Sequence, residues 1–278
     1  MSKSGQLRVS RTDTIPVPNE YILALQGEYA PWSYDEQRAP RFRGRWREDA
    51  FAAGPETPLD LEIGTGNGLH FAHHAIQHPG RCVLGLELKY KPLIQSIRRC
   101  RRAGQDNARM ARYNAYLLPE LFAEGELDDV FIFFPDPWEK SRQHKHRLIQ
   151  DEFLEKLFKI QRPGSRLIFK TDSPGYFDWA LERFLRGPYK VTAYTHDLHK
   201  SVHATSNFVT QFESIFIRQG LSIGWACLER GREPECPDDS ERDFDFASGT
   251  RNRCVRWRGY ALGLREDSVS LRDRHWER

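Results

Sequence analysis

Four short apolar runs, at 59–63, 82–86, 130–134 and 166–169, constrain the fold of this chain more than any other feature. Runs of this length, bounded by glycine or proline, read as strands rather than helices. Most of their residues are apolar, which fits a sheet covered on both faces. The stretches after them change period. Leu69, Phe71, Ala72 and Ile76, then Leu93, Ile94 and Ile97, then Phe153, Leu154, Leu157, Phe158 and Ile160 repeat at helical spacing. Strands alternating with helices in this way predict βαβ units and a largely parallel α/β sheet.

Composition sets the limits. A 278-residue chain that is 39% hydrophobic and 12% aromatic can build a core, so wholesale disorder is excluded. No apolar run approaches the length of about 18 residues that a transmembrane helix needs. Residues 1–20 are polar and show no secretory signal, so a cytoplasmic protein without a membrane partner is expected. The five cysteines are scattered and form no C-x-x-C pair, which argues against a disulfide framework or a zinc site. His70 and His74 stand four apart, a metal-binding spacing, but no third ligand is suggested, and no metal is expected. The expected organisation is an N-terminal arm over 1–40, partly irregular, then a main domain over 41–230. An acidic linker and arginine-rich tail follow over 231–278, with seven acids in 233–245 and eight arginines in 251–278.

The formal net charge of +3 hides two clusters. Lys89, Lys91, Arg98, Arg99, Arg101 and Arg102 fall within 89–102 with no acid after Lys89, and Lys140, Arg142, Lys145 and Arg147 fall within 140–147. A single cluster of this kind can be a solvated helix face. Two of them favour an anionic partner, because cations that neutralise phosphates dominate nucleic-acid affinity.

Two constellations carry chemistry. In Leu59-Asp60-Leu61-Glu62-Ile63-Gly64-Thr65-Gly66-Asn67-Gly68 a strand runs into a glycine-rich turn that opens a helix. Glycines there permit positive φ and close approach of a ligand to the backbone, at the carboxyl edge where open α/β sheets bind ligands. Glu87, about twenty residues on, closes the second strand and suits a ribose diol. The G-x-G-x-G spacing departs from the dinucleotide fingerprint, which disfavours a nicotinamide cofactor. Glu62, just before the first glycine, can meet a methionine ammonium and offset a sulfonium charge. In the second constellation a buried strand runs into Pro135-Asp136-Pro137-Trp138-Glu139-Lys140. Each proline restricts its own φ and the residue before it, so the Asp136 carboxylate is pre-oriented at the sheet edge. Asp136 can accept from an amide-like N–H edge such as that of guanine, and Trp138 offers a flat face to a base.

Taken together, LDLEIGTGNG, GLELKYKPL, FFPDPWEKSRQHKHR, FKTD and TQFE, in that order and spacing, resemble the bacterial tRNA (guanine-N7-)-methyltransferase family over roughly residues 40–230. The preceding Phe42-Arg43-Gly44-Arg45-Trp46 resembles a basic stretch before the first strand in that family. The resemblance implies a Rossmann-like, seven-stranded class I S-adenosylmethionine-dependent methyltransferase fold, S-adenosylmethionine as cofactor and tRNA as partner. It implies Asp136 as the catalytic aspartate. The cofactor contacts it implies are Glu62, Gly64, Gly66 and Glu87, with Asn114 where the family has an acid against the adenine. Lys140, Arg142, Lys145, Arg147, Asp172, Thr210 and Glu213 fall at substrate-binding positions. Glu139 stands where the family commonly has proline. Three alternatives stay open: a methyltransferase of the same fold acting on another RNA or a small molecule, an RNA-binding module that has lost catalysis, and a nicotinamide-dependent reductase.

Overall fold

The computed structural model describes residue 12 and residues 19–231; the acidic linker and arginine-rich tail expected over 231–278 lie, from 232 onward, outside the described residues. Eight strands form one sheet among these residues: β1 (Ser33–Tyr34), β2 (Leu59–Ile63), β3 (Cys82–Leu86), β4 (Ala108–Ala111), β5 (Val130–Phe133), β6 (Arg166–Thr171), β7 (Lys190–Thr195) and β8 (Gly224–Glu229). Their spatial order is β1-β4-β3-β2-β5-β6-β8-β7. The strands from β1 to β6 pair in parallel, and β8 inserts antiparallel to both β6 and β7. The seven strands from β2 onward have the expected class I arrangement; the eighth, β1, is a two-residue addition at the edge, paired with β4.

Helices α2 (Leu69–Gln77), α3 (Tyr90–Arg102), α5 (Asp151–Ile160) and α6 (Pro174–Arg186) supply the crossovers, with a single turn, α4 (Leu118–Leu121), after β4 and a last helix, α7 (Gln211–Arg218), before β8. Every residue of β2 and of β3 is buried, the charged Asp60 and Glu62 of β2 included. One core lies on the side holding Trp46, Leu61, Leu84, Phe122, Leu154 and Phe169, and a second, smaller one joins Phe71, Val83, Ile94 and Met110.

The segment expected over 1–40 as a partly irregular arm is ordered in its second half. Glu20–Gln26 is a helix, α1, capped by Asn19, whose side chain accepts from the Tyr21 and Ile22 amides, and it buries Ile22 and Leu25. Tyr34 packs edge-on against Phe42 and Trp46. The apolar positions here are few and isolated, so no periodicity exposes them in the sequence. It is long-range packing and the edge of β4 that order the segment.

Two carboxylates of β2 are held by the helix that follows it. Strand residues two apart share a face, and helix residues four apart share a face at a similar spacing. Because α2 runs back across β2, Glu62 meets His70 (Oε2 to Nδ1, 2.7 Å) and Asp60 meets His74 (Oδ2 to Nε2, 2.7 Å). Asp60 is fully buried, accepts from the Asp129 amide at 3.0 Å and pairs with both ends of the Arg81 guanidinium. Burial pushes its pKa up, but the Arg81 and His74 hydrogen bonds outweigh this and hold it below the usual aspartate value. A lowered folded pKa contributes stability above the unfolded value that is lost as pH falls through the folded one. Asp60→Asn should therefore cost about 3 kcal/mol at neutral pH, the scale of breaking a buried pair. Its deficit against the wild type should narrow in urea titrations as pH drops below the ordinary aspartate value of 3.8.

Candidate active site at the switch point of the sheet

Strand order reverses between β2 and β5, which pair in register with Ile63 opposite Ile132. The turn after β2 and the loop after β5 therefore leave the sheet side by side, at the crevice where open α/β sheets bind ligands.

The glycine turn is built against its neighbours. Gly64, Gly66 and Gly68 all have positive φ (76°, 54° and 74°). The Gly64 amide donates to Leu86 O at 2.8 Å, and open space lies where a Gly64 side chain would begin. At Gly68 a Cβ would fall 2.5 Å from Ser96 Cα, so the turn presses on α3. Arg99 Nε of α3 donates to Asn67 O at 3.2 Å. Glu87 accepts from the Gly66 amide at 3.2 Å and the Lys89 amide at 2.9 Å. Glu62 is 4% exposed, with one carboxylate oxygen on His70. Buried anion, open glycine cradle and second anion at the neighbouring strand end suit the ammonium, backbone and diol of S-adenosylmethionine. Asn114 follows β4 on the same edge, and its side-chain oxygen caps the next turn by accepting from the Tyr116 amide at 3.0 Å.

The loop after β5 is strained at both ends. Phe134 and Trp138 have φ of 52° and 46°, a conformation that costs non-glycine residues about 1–3 kcal/mol and collects at functional sites. Between them Asp136 is exposed. The Phe134 amide donates to Lys170 O at 2.8 Å, and Arg147 Nε donates to Pro137 O at 2.7 Å. The Trp138 ring lies 5.3 Å from His146. Asp172, at the end of the adjoining β6, is half-buried; burial raises its pKa, and the nearby Glu139 carboxylate raises it further. Glu139 in turn accepts from Ser173 Oγ at 2.8 Å.

Three expected substrate contacts are placed differently. Arg147 is 3% exposed, its guanidinium 5.0 Å from both the Tyr176 and Trp179 rings, so it braces the Pro-Asp-Pro loop from beneath rather than facing a ligand. Lys140, Arg142 and Lys145, on and before the short helix Ser141–His146, are exposed as expected. Thr210 and Glu213 form a capping box at the start of α7. Glu213 has no exposure; its carboxylate meets Lys170 Nζ at 3.1 Å and accepts from Asn207 Nδ2 at 2.6 Å, and His199 Nε2 lies 2.9 Å away. Its charge is spent on the buried Lys170, which ties the segment before α7 to β6.

Sequence reasoning passed over Lys170, although it lies inside FKTD, and Phe212. The latter is half exposed, with its ring 3.6 Å from where a Gly66 Cβ would stand, and Asn67 and Gln211 form a hydrogen bond beside it. Helix α7 thus borders the glycine turn, and through Phe216, 5.5 Å from Phe134, it also borders the loop after β5.

This sheet and this edge define a class I S-adenosylmethionine-dependent methyltransferase. Residues 56–225 match a family described as putative methyltransferase. The chain is 51% identical over 208 residues to a tRNA (guanine-N(7)-)-methyltransferase of Bdellovibrio bacteriovorus, covering 75% of this chain and 100% of that one. Similar enzymes of the same name from Bacillus licheniformis (31% over 183 residues, 66% and 84% coverage) and Lachnoclostridium phytofermentans (30% over 213 residues, 77% and 95%) also match. The chain belongs to the tRNA (guanine-N7-)-methyltransferase family.

If Glu213 is an anchor, Glu213→Ala leaves the buried Lys170 charge with only the neutral acceptors Asn207 Oδ1 and Phe208 O, and should destabilise the fold by about 3 kcal/mol. The double variant Lys170→Met/Glu213→Leu should recover most of that loss in urea unfolding. A carboxylate spent only on substrate would leave the unfolding midpoint of Glu213→Ala where it was.

Proposed function

We propose that this chain transfers a methyl group to N7 of a guanine in tRNA, with Asp136 as the residue that orients the base. The observation that carries the reading is the β2–β5 register, which sets the Glu62 and glycine turn beside the Pro135-Asp136-Pro137 loop. The likeness to the three relatives supplies the substrate class. Such a substrate puts the protein's work in the cytoplasm; among the described residues no helix is long and apolar enough to cross a membrane.

When bound, S-adenosylmethionine supplies a methyl group made electrophilic by the sulfonium. Glu62 would hold the ammonium, Glu87 the ribose hydroxyls, Gly64 and Gly66 the close approach, and Asn114 the adenine. Guanine N7 already carries a lone pair, so no side chain has to remove a proton before transfer. What the protein must do is align the base and stabilise the positive charge that develops on the purine. Alignment of two reactants is worth about 7–11 kcal/mol in well-oriented systems. Asp136 accepts from the N–H edge of guanine and places a negative charge against the ring. Asp172 adds to this. A carboxylate whose ionised form is disfavoured by burial and by Glu139 gains more from an arriving cation than a solvated one, and only as that charge appears. Lys140, Arg142 and Lys145 would neutralise phosphates beside the target nucleotide.

Nucleoside mass spectrometry of tRNA incubated with the purified protein and S-adenosylmethionine tests the reading directly: 7-methylguanosine should accumulate. Methylation of another position or of another RNA only would replace the substrate assignment, and tRNA binding without methylation would favour the binding-module alternative. Asp136→Asn should lower turnover about a hundredfold or more, the scale of losing one preorganised electrostatic contact of roughly 3 kcal/mol, while cofactor and tRNA affinities hold. Near-normal turnover in that variant would remove Asp136 from its role.

A pH profile tests Asp172. Its raised pKa means that ionisation, and the activity that depends on it, should fail on the acid side above the ordinary aspartate value of 3.8. Removing the neighbouring charge in Glu139→Gln should move that acid limb to lower pH. An unmoved limb would show that Asp172 does not control it.

A further inference from the structure

Helix α3 carries five cations and no acid in Tyr90–Arg102, and its last turns make a built feature rather than a solvated face. Arg98, Arg101 and Arg102 line a groove of about 600 Å³ together with Glu28, Tyr29 and Trp32 from the segment after α1. The arginines stand three and four apart, so they share one side of the helix, within about 6 Å along its axis. Two of them are held by aromatic rings. The Arg101 guanidinium lies 4.2 Å from the Trp32 ring centre, and Arg98 lies 5.5 Å from that of Tyr29 while donating to its hydroxyl at 3.3 Å. Asp106 fixes this geometry from the side, accepting from Arg101 Nη1 at 2.6 Å and from Trp32 Nε1 at 3.3 Å. Arg102 is exposed.

We infer that this groove is a second contact for the phosphodiester backbone of the tRNA, separate from the cations at 140–145; the inference rests on the tRNA reading above. Three observations lead there. A guanidinium laid along an aromatic ring has lost most of its rotamer freedom before any partner arrives, so less entropy is lost on binding an anion. The fork of N–H donors that remains at each arginine matches phosphate oxygens. The groove also belongs to the same helix that touches the active site: Arg99, next to Arg98, donates to Asn67 of the glycine turn. The groove lies toward the amino-terminal edge of the sheet, beside Trp32 before β1 and Asp106 before β4, and an RNA backbone reaches it from the crevice by running along α3. Glu28, on the groove wall, Asp106, and Glu20 at the start of α1 are the opposing charges. Asp106 is already engaged by Arg101, whereas Glu28 faces the groove and weakens its field. The aromatic rings act as braces here, with their faces given to the arginines.

The experiment is a set of salt titrations of tRNA binding to the full-length protein, using a pooled bacterial tRNA fraction. Each lost phosphate contact should flatten the plot of log affinity against log salt by about one unit. Arg98→Gln/Arg102→Gln should weaken binding about tenfold and flatten the slope by about two units. Turnover at saturating tRNA and S-adenosylmethionine affinity should not change. Glu28→Gln should move affinity the other way, and Trp32→Leu should weaken binding with the slope retained, because the charge stays while its brace is lost. Urea midpoints for each variant separate these effects from unfolding. Wild-type slope and affinity in the double arginine variant, with tRNA methylation intact in the parent protein, would overturn the groove and leave the enzymatic reading standing. A parent protein that binds no tRNA would overturn both.

Discussion

The hydrogen-bonded pairing of β2 with β5 is the constraint on which the site depends. With Leu61 opposite Val130 and Ile63 opposite Ile132, the two strands end level, and their loops must leave the sheet next to each other. One loop brings a buried carboxylate and an open glycine turn, and the other brings an exposed carboxylate between two prolines. A shift of one residue in this pairing would turn Glu62 to the opposite face. The Asp60 and Glu62 contacts with α2 oppose such a slip, because both would be lost together.

Charge is used in two ways around this edge. Buried anions are met by the protein itself: Asp60 by the Arg81 guanidinium and a hydrogen bond with His74, Glu213 by Lys170. These contacts pin α2 and the first turn of α7 to the sheet, and removing one member of an ion pair leaves an uncompensated charge in a low-dielectric interior. The anions at the rim are treated differently. Asp136 is exposed, and Asp172 is disfavoured as an anion by burial and by Glu139. The fold spends its cations on the structural anions and leaves the rim poised for positive charge from outside. The strain stored at Phe134 and Trp138 belongs to the same design, since Lys170, through its carbonyl, and Arg147 hold a loop that would otherwise relax.

Much of this was legible in the chain. The runs at 59–63, 82–86, 130–134 and 166–169 became β2, β3, β5 and β6 because short, mostly apolar segments of that length have few other solutions. The glycine turn and Pro135-Asp136-Pro137 were visible because glycine and proline restrict backbone geometry locally, whatever surrounds them. Less legible were α1 and β1. Their helix and strand are too short and too sparsely apolar to signal themselves, and they exist because Ile22, Leu25 and Tyr34 find partners far along the chain.

The sequence by itself determined the alternation of strand and helix, the position of the turn and the identity of the carboxylates at the sheet edge, since each follows from local stereochemistry or from periodicity. Only the tertiary structure decided which charged residues face outward. Arg147 lies in the same basic run as Arg142 and Lys145, yet it is buried beneath the loop while they are exposed. Glu213 belongs to a motif expected to touch substrate, yet Lys170 claims its charge. Arg98 and Arg101 look like any solvated cations until Tyr29 and Trp32, some seventy residues earlier, come up against them. A charge has no periodicity to betray its partner; its role is set by what the folded chain places within a few ångströms, and that is a property of the packing.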